Sequence, residues 1–140
     1  MRCMVIIKAT RESEAGILPD DRFLVDMLDY DEELVKAGLL LAGESLHPSS
    51  KGARVRLSAA GTTVLNGPFA ETRELVAGYW LWEVKSMAEA VEWVKRCPRP
   101  GGVEVVIEIR QVFEADDFAP EIAPEIREHE ARLRLQIAWR

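Results

Sequence analysis

One of the two histidines is placed where it could transfer a proton in a reaction. His47 follows an apolar, strand-like run and begins a loop rich in Pro, Ser and Gly. Imidazole is the side chain that titrates closest to neutral pH, so a loop histidine positioned by a sheet is a candidate general acid or base. His129 lies in a polar, Glu-rich helical segment, where an exposed structural role is expected. His47 is therefore the candidate catalytic residue, and a surface turn residue is the alternative interpretation.

The two cysteines indicate core thiols rather than a metal or redox site. Cys3 lies in an apolar strand-like run, and Cys97 closes a helical pattern just before Pro98. Neither has a second Cys or a His at metal-ligand spacing, which favours two reduced thiols and no metal site. A reactive thiol at Cys97 is the alternative interpretation, because helix C-termini are accessible at the surface. The negative end of the helix dipole disfavours a thiolate there, however, and so raises the pKa of the thiol.

The segment NGPFAETRE, which begins at Asn66, carries the most unusual turn chemistry of the chain. An Asn side chain before Gly-Pro can accept hydrogen bonds from backbone N–H groups ahead of it, and Gly67 gives the backbone conformational freedom. Phe69 can anchor the turn in the core. Glu71 and Arg73 then project together towards solvent, a partner or a pocket. A structural turn and a binding loop both remain open interpretations.

The composition narrows the classes of function. The 140 residues carry 18 Lys and Arg against 24 Asp and Glu, for a net charge of −6, and 48% are apolar. Such a chain has enough apolar surface for one folded core, and its acidity argues against direct nucleic-acid binding. No dinucleotide, P-loop, zinc-protease or nucleophile-elbow motif is present, so no cofactor is expected. A cytoplasmic protein without membrane contact is predicted, since no secretion signal or bilayer-length apolar run occurs.

The hydrophobic periodicity predicts the elements that must position these residues. Apolar runs indicate strands at 3–9, 39–46, 75–84 and 103–112, amphipathic patterns indicate helices at 20–37 and 86–97, and alternation around a Gly indicates a hairpin at 53–65. Ser86 and Glu89 form a capping box at the start of the second helix. Without the hairpin the order is βαββαβ, which is the ferredoxin-like α+β arrangement of an antiparallel sheet with both helices on one face.

The remaining segments are predicted as connections and a tail. Residues 10–18 read as a loop, and residues 114–124 read as an acidic, proline-punctuated linker. A last helix starts at Pro124 or just before it, with a narrow apolar stripe that includes Leu133 and Ile137. Because a narrow stripe cannot hold a helix in water, this helix must dock on its own domain or on a partner. The chain thus divides into a domain at 1–113 and a linker with a helix at 114–140.

NGPFAETRE resembles the DGPFAETKE signature of the YCII-related (DGPF-type) family, in the dimeric ferredoxin-like (α+β barrel) superfamily. CMVIIKA, LLLAGESLHP, AGYWLWEVKSMAEAVEWVKRCP and EVVIEIRQVFEADDF also resemble that family's pattern, so the resemblance covers about residues 1–113. It implies a ferredoxin-like fold, dimeric or larger assemblies and a pocket near the signature. Some relatives are dehalogenating or isomerase-like enzymes acting on small ring compounds. Others are encoded beside sigma-factor genes, which implies a regulatory role.

Two positions depart from that family's pattern. The acid that leads the signature is Asn66 here, and an amide cannot perform the acid/base chemistry of a carboxylate. The shorter YciI-like members have a proposed catalytic histidine in the first helix, near Met27, where this chain has none. Both departures weaken the resemblance to the family's enzymes. His47 is then the residue that would take over proton transfer from the missing acid and histidine.

Two functional hypotheses follow. The first is an enzyme that isomerises, dehydrates or dehalogenates a small ring compound. In it His47 would carry the proton, Arg54 or Arg73 would bind the negative charge of the substrate, and Trp80 or Trp82 would form an apolar wall. The second is a non-catalytic regulatory or protein-interaction module, linked to transcription control of the sigma-factor type. We predict that His47, Asn66, Glu71 and Arg73 lie near one cleft, with Trp80 or Trp82 close by. Arg54 is a further candidate substrate-binding residue.

A homodimer through the open sheet face is also predicted. Two helices cover only one face of a four-stranded sheet, whereas strands 3–9 and 75–84 are apolar on both faces, with Trp80 and Trp82 among their residues. The uncovered face would exceed the few hundred Å² of contiguous apolar surface usual for monomers, and a two-fold axis would bury it. The alternative is that the hairpin and the tail cap this face within one chain.

Overall fold

A computed structural model describes residues 1–138. In chain order the elements are β1 (Arg2–Lys8), α1 (Arg11–Glu14), α2 (Asp21–Lys36), β2 (Leu40–Ser45), β3 (Ala53–Ser58), β4 (Gly61–Asn66), β5 (Val76–Glu83), α3 (Met87–Lys95), β6 (Ile107–Gln111) and α4 (Ala123–Ala138). Single 3₁₀ turns lie at Ser49–Lys51, Thr72–Glu74 and Ala115–Asp117.

Four strands form one antiparallel sheet in the order β2-β5-β1-β6. In this sheet the central β1 places Val5 opposite Trp80 on one side and opposite Ile109 on the other. With α2 after β1 and α3 after β5, this is the split βαββαβ arrangement, so the predicted ferredoxin-like α+β fold is confirmed. The strands β3 and β4 form a separate two-stranded sheet.

The core lies between the helices and one face of the sheet. The sheet contributes buried Cys3, Val5, Trp80, Trp82 and Val84, and the helices contribute Tyr30, Leu34 and Ala90. Two hydrogen bonds satisfy polar atoms of this core: the Tyr30 hydroxyl donates to the Trp93 carbonyl at 2.6 Å, and Trp80 Nε1 donates to Asp31 Oδ1 at 2.9 Å. The helices therefore pack on the face that carries both central tryptophans.

The expectation that Trp80 and Trp82 contribute to the open sheet face is wrong. Trp82 pairs with Cys3 and is 0% exposed, and Trp80 is 4% exposed. Side chains alternate along a strand, so the residues between them face the other way. Both sets are apolar in this sequence, and it is the position of the helices that decides which set is buried.

Side-chain caps explain why α2 and α3 start where the sequence predicts. Asp20 accepts a hydrogen bond from Phe23 N at 2.8 Å, and Ser86 accepts one from Glu89 N at 3.2 Å. Each cap satisfies a backbone N–H that the first helical turn leaves without a partner. Within residues 1–138 the second bond of the predicted capping box, from the Ser86 backbone N–H to the Glu89 carboxylate, is not formed.

Two local predictions are corrected. The segment 10–18, predicted as a loop, contains α1, whose start is fixed by reciprocal bonds between Thr10 and Ser13. The last strand, predicted at 103–112, spans only Ile107–Gln111. Its pairing with β1 begins at Ile7 opposite Ile107, and one further backbone bond joins Lys8 N to Val106 O at 3.0 Å, where β1 ends.

The tail is attached to the sheet at its beginning. The Arg2 guanidinium donates two hydrogen bonds to the Glu114 carboxylate, at 2.8 and 3.1 Å, and Ala115 and Ala123 are buried. The far part of α4 is exposed, with Ile137 at 67%. Within residues 1–138, no helix combines the length and apolarity needed to cross a bilayer.

Candidate functional site

The signature lies at one end of the main sheet, beside two other loops. The segment before β5 is held to the end of β1 by a hydrogen bond from Ala9 N to Leu75 O at 2.9 Å. The loop after β2 starts with a bond from Leu46 N to Ala77 O at 2.8 Å. The topology thus gathers α1, the loop at 46–52 and the signature turn at this end of the sheet.

Ser49 ties these three segments together. Its backbone N–H donates to Glu14 Oε1 at 2.9 Å, and its hydroxyl donates to Glu14 Oε2 at 2.5 Å. The same hydroxyl oxygen accepts a hydrogen bond from the Phe69 backbone N–H at 3.0 Å. A carboxylate acceptor makes such bonds short and strong. Glu14 and Ser49 are not among the predicted site residues. Glu14 lies in a helix of four residues, which is too short to give a periodic signal, and Ser49 lies in a 3₁₀ turn.

Gly67 is required by a close approach rather than by an unusual backbone conformation. A Cβ atom at this position would lie 1.7 Å from the Ser49 carbonyl oxygen, and Gly67 N donates to Gly52 O at 3.0 Å. Among residues 1–138, the glycines with positive φ do not include Gly67. The turn therefore packs its backbone directly on the loop that carries His47.

Arg54 is held over the signature turn by an aromatic ring and a carboxylate. Its guanidinium carbon lies 3.9 Å from the centroid of the Phe69 ring, and its Nη1 lies 3.5 Å from Glu71 Oε2. The side chains of Arg54 and Glu71 are 48% and 54% exposed. The pairing of Ala53 with Asn66 places Arg54 next to the start of the turn. The structure thus brings Arg54, Glu71 and Asn66 together.

The other predicted site residues occupy different environments. His47 is exposed and lies two residues before Ser49 in the anchored loop. Arg73 is exposed in the 3₁₀ turn Thr72–Glu74. The Asn66 side chain makes no hydrogen bond to the backbone ahead of it within residues 1–138, contrary to the turn chemistry that the sequence suggests.

Trp80 and Trp82 lie on the buried face of the sheet and are not exposed at the signature. Two open clefts of the described residues lie instead along α4. The larger, about 520 Å³, is lined by residues that include Ile122, Ile126 and His129, and the smaller measures about 360 Å³. No residue of the signature lines either cleft.

Comparisons with known proteins identify the family. The fold resembles 5-chloro-2-hydroxyhydroquinone dehydrochlorinase (TftG) from Burkholderia phenoliruptrix, solved in complex with 2,5-dihydroxybenzoquinone, with a TM-score of 0.42 and 14% identity over 85% of this chain and 100% of that one. An uncharacterized protein from Rhizobium meliloti is 34% identical over 90 residues, which are 61% of this chain and 73% of the relative. The sequence profile of the YCII-related domain matches residues 1–116. The chain therefore belongs to the YCII-related domain family.

Proposed function

We propose that the chain binds a small anionic ring compound at the signature end of the sheet. The observation that carries this proposal is the placement of Arg54, stacked on Phe69 at 3.9 Å and half-exposed to solvent. A guanidinium on an aromatic face combines a planar surface with N–H groups that bind carboxylate or phenolate oxygens.

The weak contact between Arg54 and Glu71 supports the proposal, because a ligand can take the place of the Glu71 carboxylate. At 3.5 Å between Nη1 and Oε2 the two groups form a loose ion pair rather than a short hydrogen bond. Exposed ion pairs contribute little free energy, so a ligand oxygen can replace the Glu71 carboxylate at small cost. Arg73, on the same segment, supplies a second cation at this end of the sheet.

His47 is proposed as the proton carrier for the bound ring compound. It belongs to the loop that Glu14 holds through both the backbone and the hydroxyl of Ser49. Asn66 stands where the family signature has an acid, and an amide forms hydrogen bonds but does not transfer protons. Proton transfer to or from the ring, as isomerisation, dehydration or dehalogenation requires, then falls to His47.

Ligand binding can be tested by calorimetric titration with benzoate and with 2,5-dihydroxybenzoquinone as probes. Arg54→Ala is expected to weaken binding by roughly tenfold or more, the value of a lost charge-assisted hydrogen bond. The matched control is Arg96→Ala, which removes another half-exposed arginine that lies over an aromatic ring, Trp93, and pairs with a carboxylate, Glu33. Equal affinities of the wild type and Arg54→Ala would contradict the proposed site.

A homodimer through the open sheet face is the proposed assembly. The residues of this face, which alternate with the buried ones, include Met4 opposite Leu81 and Ile6 opposite Tyr79, and all four are only partly buried. A contiguous apolar face of this kind is buried by a two-fold contact. In sedimentation equilibrium, Leu81→Glu should dissociate the dimer, whereas a wild-type chain that remains monomeric at all concentrations would exclude it.

A non-catalytic regulatory module is the second candidate function, and one observation favours it. The far part of α4 exposes Leu133 and Ile137, at 43% and 67%, on one side of the helix, as a partner-binding helix would. Leu133→Asp should then alter transcription controlled by a neighbouring sigma factor, while Arg54→Ala should leave it unchanged. The reverse result would favour the small-molecule site.

A further inference from the structure

The hairpin of β3 and β4, residues 53–66, forms an arm that projects from the domain. Every residue of both strands is exposed, and Leu57 and Val64 are exposed at 79% and 61%. Six residues per strand at about 3.4 Å each give the arm a length of about 20 Å. Its attachments lie at its base, where Gly67 bonds Gly52 and Arg54 contacts Phe69.

The two faces of the arm differ in chemistry. Directly paired residues share a face, so Val55, Leu57 and Val64 lie on one side, and Arg54 and Arg56 lie on the other. An isolated two-stranded hairpin is marginally stable in water, and its stability depends on packing against another surface. The exposed apolar face therefore needs a covering surface that the described residues of its own chain do not provide.

The net charge of the arm as a whole, rather than of its apolar face, indicates the sign of the charge on its partner. Residues 46–70 contain no acidic side chain and carry Lys51, Arg54 and Arg56, although the whole chain has a net charge of −6. The segment 113–130, which we call the acidic segment, has the opposite character, with seven acidic side chains against one arginine. It also exposes apolar side chains, namely Phe113 at 69%, Phe118 at 41% and Ile122 at 46%.

We propose that the arm of one copy of this chain docks on the acidic segment of a second copy. The apolar face of the arm packs on the exposed apolar side chains of the acidic segment. The arm's cations, on its other face and at its base, attract the carboxylates that surround those side chains. In a two-fold dimer each copy supplies one arm and one acidic segment, so two identical contacts form and the assembly closes. This inference rests on the homodimer proposed above and adds to it a second contact outside the sheet face.

Docking of the arm also links the assembly to the candidate site. Arg54 and Asn66 occupy the base of the arm, and Phe69 follows it directly. A second copy that holds the arm therefore fixes the guanidinium and the turn to which the ring compound is proposed to bind.

Charge reversal tests the proposal. One variant combines Lys51→Glu with Arg56→Glu, and the other combines Glu121→Lys with Glu125→Lys; all four positions are exposed. Sedimentation equilibrium at low salt should show each variant dimerising roughly tenfold more weakly than the wild type, because charges of the same sign are then brought close together in the dimer. Circular dichroism checks that each variant is folded.

An equimolar mixture of the two variants distinguishes a contact between two copies from a contact within one chain. In the mixed dimer both arm contacts again join opposite charges, so an equimolar mixture should regain the wild-type association. A folded pair whose mixture associates no better than either variant alone would overturn the proposal.

The apolar face gives an independent measurement. Leu57→Asp should weaken dimerisation, whereas the matched control Leu28→Asp, at a position 67% exposed on α2, should not. If all arm variants dimerise like the wild type while Leu81→Glu dissociates, the arm contact is refuted and the sheet dimer stands. A wild-type chain that is monomeric throughout refutes both.

Discussion

Gly67 and Ser49 are in direct backbone contact: a Cβ atom on residue 67 would lie 1.7 Å from the Ser49 carbonyl oxygen. A backbone oxygen cannot move aside as a flexible side chain can. The contact therefore fixes the signature turn against the loop that carries His47, and only glycine permits it.

Gly67→Ala should consequently separate the turn from the loop. We expect a loss of about 1–3 kcal/mol of stability in chemical denaturation, as for other overpacked positions, together with weaker binding of the ring probes. Gly101→Ala is the control, because a Cβ atom there meets nothing within 4 Å, and its effect should be small. A Gly67→Ala protein as stable as Gly101→Ala would show that the turn and the loop are not in contact.

The elements that carry strong local signals are the ones that the sequence predicts well. Asp20 and Ser86 stand just before α2 and α3, whose starts the sequence predicts, and each side chain accepts a hydrogen bond from the first helical turn. The hairpin closes with Gly61 at a φ of 128°, which glycine adopts without strain. Local chemistry determines these features, so a single sequence is sufficient for them.

Features that depend on contacts distant in sequence were missed or misplaced. The bond between Ser49 and Glu14 joins residues 35 positions apart, and the local sequence of neither segment predicts it. The face on which Trp82 lies is set by the helices that cover it, because both alternation sets of β5 are apolar. The signature itself was located from the sequence, but its partners become visible only in three dimensions.

Trp80 and Trp82 offer a matched test of a buried hydrogen bond. Trp80 Nε1 donates to Asp31 at 2.9 Å, whereas Trp82 Nε1 is buried without a partner among residues 1–138. Replacement by Phe removes a similar volume at either position. Trp80→Phe should therefore cost roughly 1–2 kcal/mol more in chemical denaturation than Trp82→Phe, since only the first loses a charge-assisted bond. Equal losses would mean that the Asp31 contact contributes nothing to stability.

The attachment of the tail should depend on pH. The hydrogen bonds from Arg2 hold the pKa of the Glu114 carboxyl below its ordinary value of 4.5. A carboxyl with a lowered pKa stabilises the folded state fully above its ordinary value, and this stabilisation disappears as the pH falls through the lowered one. Protection of the backbone amides of residues 113–118 against hydrogen exchange should accordingly decrease in acid. Glu114→Gln should remove that pH dependence, and its persistence in the variant would assign it to another group.

Cys97 should react slowly with alkylating agents. Burial, followed by the nearby Asp31 carboxylate, raises the pKa of Cys97 to about 11 from an ordinary 9.0. The direction of the shift agrees with the sequence prediction, but its causes are burial and Asp31 rather than the helix end. At neutral pH the reactive thiolate should be roughly a hundredfold scarcer than for an ordinary thiol. Iodoacetamide labelling followed by peptide mass spectrometry should show slow modification that becomes fast in urea, and rapid labelling of the folded protein would contradict the burial.

His47→Ala tests whether the site performs chemistry or binding alone. If His47 transfers the proton, its removal should lower the turnover of a ring substrate by about 10²- to 10⁴-fold, the usual contribution of a general acid or base. Probe affinity should change little, because Arg54 and Phe69 remain in place. His129→Ala is the control, since the second histidine lies on α4, outside the signature end. Turnover that survives His47→Ala would exclude His47 as the proton carrier and leave Arg54 with a binding role only.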